Sequence, residues 1–337
     1  MDVLLSAPIL FFILGAAIAL AGARIPFPEG FGKALAAYLL VAIGLKGGVA
    51  LSGAAMGEVL PLLITAALLS FTMPVLGFAL LRGPVGLDRT NAAAIAAHYG
   101  SVSLVTFVTA TKLLEAQGVT FGGHMVAALA IMEGPAIISG LLLAGMAGGA
   151  VAAAGSNGQG GTVTLSIGGG NGGGSRLGAA VREAALNGSV LLLAGSLLVG
   201  LVIGKPGLDK LAGLFVAPWD GALSLFLLEM GFLAASRLRQ AASLSPRLIA
   251  FGFIMPLLGA AIGMAASLSL GLELGDTVLL VTLCASASYI AVPAALRHAL
   301  PDADPGLSLP LSLAITFPFN ILVGIPLYLA LSRAILG

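Results

Sequence analysis

The stretch HYGSVSLVTF, residues 98–107, lies inside an apolar run that extends from Asp88 to Lys112. A helix crossing lipid finds no water for its polar groups, so a histidine, a tyrosine, a glycine and two serines at its midpoint mark a break with a purpose. The lipid context is set by the rest of the chain. Of its 337 residues 59% are hydrophobic and only 9% charged, against about 25% charged in a soluble domain; the mean hydropathy is +1.11.

A membrane-spanning helix needs about 20 mostly apolar residues. Ten stretches meet that need, at residues 4–22, 33–51, 57–81, 88–112, 122–147, 185–204, 211–236, 246–270, 276–298 and 306–333. Transmembrane strands read as alternating segments of about ten residues, which these are not. The expected fold is an all-α integral membrane protein with ten transmembrane helices. The first stretch is expected to stay as a helix rather than be cleaved after Ala21-Gly22-Ala23, because only Asp2 and no basic residue precedes it.

Residues 148–177 interrupt the pattern with Gly, Ala and Ser and read as a linker. It divides the chain into residues 1–147 and 178–337, five stretches in each, and the halves resemble each other in order. Met73-Pro74-Val75-Leu76-Gly77 matches Met255-Pro256-Leu257-Leu258-Gly259. LAIMEGPAIISG from Leu129 matches LAITFPFNILVG from Leu313, and Thr90 and Ser101 match Thr277 and Ser288. An odd number of spans per repeat puts the second half in the membrane upside down, the inverted-repeat plan of secondary transporters.

Basic residues then orient the chain. Loops after odd-numbered spans hold Arg24, Lys33, Arg82, Arg89, Arg176, Arg182, Arg237, Arg239, Arg247 and Arg297. The other side has only Lys46, Lys112, Lys205, Lys210 and Arg333. Both termini are expected outside a cell's plasma membrane and the linker in the cytoplasm.

The ninth stretch carries a second small, polar interruption, Ala285-Ser286-Ala287-Ser288-Tyr289, mid-span like Tyr99-Gly100-Ser101-Val102-Ser103. In inverted halves the two breaks face each other near the bilayer midplane. Half-helix N-termini and serine hydroxyls there would hold a small anion without an arginine; small residues also permit plain close packing. Glu133, beside Gly134-Pro135, is a cation ligand, a proton carrier or a carboxylate satisfied at a kink. His98, Thr316 and Asn320 are further cation-coupling candidates, and Glu229 is expected to pair with Lys46.

Other chemistries are disfavoured. The net charge of +1 and the lack of a basic stripe argue against nucleic acid. The single cysteine, Cys284, cannot form an intrachain disulfide. No GxxxxGK[ST], HExxH or Cys/His ligand set points to an enzyme or an ATP-driven pump, and no cofactor is expected beyond a sodium ion.

The runs AIGLKGGVAL, GSVS, IMEGPA and ASASYIAVPAALRHALPDADPGLSLPLSLAITFPFNILVGIPL together resemble the sodium-dependent bicarbonate transporter family, the type known from cyanobacteria. The resemblance implies spans 3 to 5 and 8 to 10 as a core, spans 1, 2, 6 and 7 as a gate, and a homotrimer. It also implies sodium and bicarbonate between the fourth and ninth breaks, with the anion among Gly100, Ser101, Val102, Ser103, Ser286, Ala287, Ser288 and Tyr289. Where the cyanobacterial proteins have Ser-Ser-Ser-Asp, this chain ends its break in Tyr289; where they have Asp in the fifth span, it has Glu133. The function expected is secondary active transport of a small anion, sodium-coupled bicarbonate uptake by alternating access. The alternative is a channel-like or proton-coupled carrier of another small carboxylate.

Overall fold

The structure is a computed structural model that describes residues 6–23, 25–53, 56–145 and 188–337. The linker at 148–177, the domain boundaries drawn at 147 and 178, and Arg24, Arg176 and Arg182 lie outside the described residues. Every described element is helical.

α1 (Ala7–Leu20), α2 (Phe31–Leu51) and α3 (Met56–Leu80) take up the first three apolar stretches. The fourth is two helices, α4 (Arg89–Gly100) and α5 (Leu104–Ala116). The fifth is also divided, into α6 (His124–Met132) and α7 (Pro135–Gly145), because Pro135 has no N–H to continue the ladder. The second half begins with α8 (Gly188–Lys210), α9 (Trp219–Ser236) and α10 (Pro246–Leu270). The ninth stretch is α11 (Leu274–Ala285) and α12 (Ala291–Ala299). The last is α13 (Pro305–Leu336), which widens into π turns at Pro310–Thr316 and Asn320–Gly324.

The protein is a multi-pass helical membrane protein, and among the described residues eight segments are long and apolar enough to cross a bilayer. The other two expected spans are shorter. α1 has 14 residues, about 21 Å at the helical rise, against a hydrocarbon core of about 30 Å. α11 stops after 12 because its stretch is broken. Leu60, Ile64 and Leu68 of α3 and Leu198 and Val202 of α8 are each more than half exposed, an apolar surface suited to lipid. The α4–α5 segment is by contrast buried along its hydrophobic length.

The helices group by contact. α1 runs along α9 and α2 along α8, with α2 also touching α9. α3 packs on α4, α6 and α7, α10 on α11, and α11 on α5 and α13. Glycines bring the first set to backbone contact. A Cβ at Gly15 would overlap the Leu228 carbonyl, and one at Gly231 the Phe12 carbonyl. Likewise Gly48 abuts the Leu197 carbonyl and Gly200 the Leu45 carbonyl. Close backbone approach through small residues is how helices gain packing energy in lipid.

The Glu229–Lys46 pair does not form. Lys46 lies 4.4 Å from the centre of the Trp219 ring, whereas the Glu229 carboxylate sits against Gly32. Fourteen residues of α2 separate Gly32 from Lys46, about 21 Å along the axis, more than two side chains can bridge. Similar depth in two stretches of sequence did not fix which ends of the helices met.

Candidate functional site

α4 and α11 end in the same way. Ser101 follows Gly100 with φ −84° and ψ 171°, and Ser286 follows Ala285 with φ −87° and ψ 168°. Both leave the helix for extended backbone. Two residues later Ser103 accepts a hydrogen bond from the Thr106 N–H at 3.3 Å and starts α5, and Ser288 accepts one from the Val292 N–H at 3.4 Å as α12 begins. Ser103 is the N-cap of α5 and Ser288 stands two residues before the N-cap Ile290 of α12; serine suits both places because its side-chain oxygen serves an otherwise orphaned donor. The matching pairs are thus Ser101 with Ser286 and Ser103 with Ser288, two residues away from the alignment of Ser101 with Ser288 read from sequence.

The two breaks are bonded to each other. The Ser288 N–H donates to the His98 carbonyl at 2.8 Å, and His98 Nδ1, facing a carbonyl, donates to Ser288 O at 2.6 Å. Ser286 Oγ accepts from the Ser103 N–H at 3.0 Å and donates to Leu283 O at 2.9 Å. Gly100 is needed one step away, where a Cβ would overlap the Pro74 ring of α3.

A small cavity of about 30 Å³ lies between this crossing and the neighbouring helices. Val102, Ser103, Leu104 and Val105 line it from one break, and Ser288, Tyr289, Ile290 and Ala291 from the other. Glu133 enters from the fifth-span break, Ala36 and Leu40 from α2, and Ser189 from α8. The first turns of α5 and α12 begin here, so two positive helix ends meet at the cavity.

At this cavity Glu133 Oε2 is buried without a hydrogen-bond partner, and the Tyr289 hydroxyl lies against Ser103. An orphaned group of this kind costs free energy that a bound ligand can recover. The Tyr289 ring is held against Phe317 at 5.2 Å between centres, and Phe317 meets Phe12 of α1 edge-on at 5.6 Å.

Of the residues singled out in the sequence, Val102, Ser103, Ser288, Tyr289 and Glu133 therefore share one cavity. Gly100, Ser101, Ser286 and Ala287 do not line it; Ser101 Oγ makes a long 3.4 Å bond to the Glu133 carbonyl, and Ser286 is occupied by the crossing. His98, Thr316 and Asn320 lie outside it too. Thr316 donates to Gly252 O at 2.7 Å, so the Tyr99 hydroxyl must donate to Thr316 Oγ1 at 2.6 Å. Asn320 donates to Ala285 O at 2.8 Å and accepts from Tyr328 at 2.8 Å, which ties α13 to the end of α11.

The sequence reading passed over Ser70. Its hydroxyl donates to Met132 O at 2.6 Å and accepts from the Ala136 N–H at 3.2 Å, clasping both sides of the Glu133-Gly134 break. A serine amid the apolar run of α3 was the available signal. Ala36 and Leu40 gave none, being ordinary members of an apolar helix.

Hydroxyls and helix N-termini serve an oxyanion, and a carboxylate with nearby oxygens serves a hard cation. The family model described as the Na+-dependent bicarbonate transporter superfamily matches residues 7–333. The chain belongs to this superfamily. Membership covers nearly the whole sequence, including all five segments that meet at the cavity. The Na+-dependent bicarbonate transporter superfamily is a transporter family, and apolar helices in a multi-pass arrangement suit that class. No curated protein sequence matches the chain.

Proposed function

We propose that the protein is a secondary transporter that takes up a small oxyanion, bicarbonate first, together with sodium. The observation that carries this reading is the cavity at the crossing, where Ser103, Ser288 and Tyr289 supply hydroxyls, Glu133 a carboxylate oxygen without a partner, and α2 and α8 a facing wall. Ser103, Ser288, Tyr289 and the N–H groups beginning α5 and α12 hold the anion. Glu133 holds the sodium ion, the charges of the two offsetting each other.

The glycine contacts support an inverted repeat. Gly15 maps onto Gly200 and Gly48 onto Gly231 at offsets of 183 to 185 residues, and the carbonyls they touch map in the same way, Phe12 onto Leu197 and Leu45 onto Leu228. The α1–α9 contact is thus the α8–α2 contact seen from the other half. On this reading α1, α2, α8 and α9 form the gate and the remaining helices the core, ten passages in all. Alternating access is movement of the core, carrying the crossing, past Ala36, Leu40 and Ser189 of the gate.

Purified protein in liposomes tests the proposal. Bicarbonate accumulated above its external concentration only when sodium is higher outside supports it; equilibration independent of any gradient overturns coupling and leaves a channel-like carrier. Tyr289, where the resemblance leads one to expect a carboxylate, favours examining proton coupling through Glu133 as the second reading, with a proton gradient replacing sodium in the same assay. The homotrimer implied by the resemblance is tested by native mass spectrometry, and the outward position of both termini by labelling.

A further inference from the structure

A second groove, of about 180 Å³, borders the crossing at His98. His98 and Ala94 of α4 line it, with Pro293, Leu296 and Arg297 of α12, the connecting residues Leu300, Pro301 and Ala303, and the first turn of α13 through Ser308. No carboxylate is among the lining residues. The neighbouring Asp304 is engaged locally, accepting from the Gly306 N–H at 2.7 Å.

Two groups in this groove have bonding capacity left over. Arg297 is exposed, and among the described residues no carboxylate lies within 4.0 Å of its guanidinium and no hydrogen bond uses it. His98 is 1% exposed, and its Nδ1 is committed to Ser288 O, which leaves Nε2 without a protein partner. With the ring proton on Nδ1, Nε2 is an acceptor, so the groove is lined by a guanidinium that donates to an oxyanion and by an imidazole nitrogen that accepts an O–H, and a space of this size holds a small anion with several waters.

We propose that this groove is a second binding site for a small oxyanion that carries an O–H, of the bicarbonate class, with Arg297 pairing its charge and His98 Nε2 accepting its hydroxyl. Coupling follows from connectivity. His98 and Ser288 exchange two hydrogen bonds, and Ser288 lines the first cavity, so an anion on His98 sits one residue from the site assigned to transport. That coupling rests on the transport reading; the binding itself does not.

The test is titration calorimetry on the full-length purified protein with sodium bicarbonate, gluconate holding ionic strength constant. The wild type takes up two anions per chain. Arg297→Gln weakens one binding event at least tenfold and leaves the other, Ser103→Ala does the reverse, and Arg297→Lys falls between wild type and Arg297→Gln. An Arg297→Gln isotherm identical to wild type overturns the proposal, as does a single event per chain that only Ser103→Ala removes. A single event removed only by Arg297→Gln supports this groove and counts against the first cavity. Because Arg297 is exposed and makes no hydrogen bond, its variants keep the wild-type melting temperature, which the same samples verify.

Discussion

His98 and Ser288, 190 residues apart, are joined by a reciprocal pair of hydrogen bonds, Nδ1 to carbonyl at 2.6 Å and N–H to carbonyl at 2.8 Å. The side chain of one break thus completes the backbone of the other. His98→Ala leaves a buried carbonyl unpaired, at a cost of about 1–3 kcal/mol. The thermal unfolding midpoint in detergent falls accordingly, and His98→Asn, which keeps a donor near the position of Nδ1, recovers part of the loss. Equal midpoints for His98→Ala and wild type would show that the bond contributes nothing.

Glu133→Gln keeps the shape of the side chain and removes its charge. If the carboxylate holds the co-transported cation, the sodium concentration giving half-maximal uptake rises at least tenfold, while anion binding measured at saturating sodium changes little. Uptake kinetics across a sodium series read the difference; an unchanged sodium dependence removes Glu133 from that role.

Close contact between α2 and α8 predicts a sharp contrast between glycines. Gly48→Ala forces a methyl group into the Leu197 carbonyl, an overlap of the kind that costs about 1–3 kcal/mol and more against rigid backbone. Gly195→Ala on α8 meets open space, and is neutral or slightly stabilising because alanine is the better helix former. Melting curves of the two variants side by side decide the matter.

Lys112 of α5 contacts Asp220 of α9 at 2.6 Å and Glu115 of its own helix at 2.7 Å. Asp220 is 72% exposed, so the pair is worth about 1 kcal/mol or less. Asp220→Asn leaves the melting temperature nearly unchanged, since Lys112 keeps Glu115. Because α5 belongs to the proposed core and α9 to the proposed gate, the same variant changes the uptake rate if the two slide past each other, and leaves it unchanged if they do not.

Cys284 is buried, so the chain offers a nearly silent background for topology. A cysteine replacing Gly337 is labelled by a membrane-impermeant maleimide applied to intact cells if the C-terminus lies outside. Labelling only after permeabilisation reverses the assigned orientation.

Much of the architecture was legible because lipid imposes simple rules. Apolar length located the helices, and polar small residues located the breaks at Ser101 and Ser286. The register between the breaks was misplaced by two residues because serines recur on both sides of each, and only backbone geometry shows which serine ends a helix and which begins one. Lys46 and Glu229 were misjudged for a related reason: hydropathy gives depth only roughly, and whether two charges meet depends on how the helices are threaded. Thr316 and Asn320 stood out as cation-coupling candidates, but their hydrogen bonds go to Gly252 and Ala285, partners that no local pattern identifies. Ser70 was overlooked because one serine in an apolar run is common in membrane helices and its value lies in where Pro135 leaves bonds unmade.

Ser286 and the His98 ring pin the crossing together, while the side chains of Ser103, Ser288 and Tyr289 face the cavity beside it. On the proposed reading, holding the frame falls to the backbone of Ser103 and Ser288 with Ser286 and His98, and contacting the cargo to the side chains of Ser103, Ser288 and Tyr289. A lineage, or an engineer, can therefore exchange Tyr289 for phenylalanine or aspartate and retune selectivity without dismantling the junction that brings the two half-helices together. Specificity in such a protein drifts more easily than architecture.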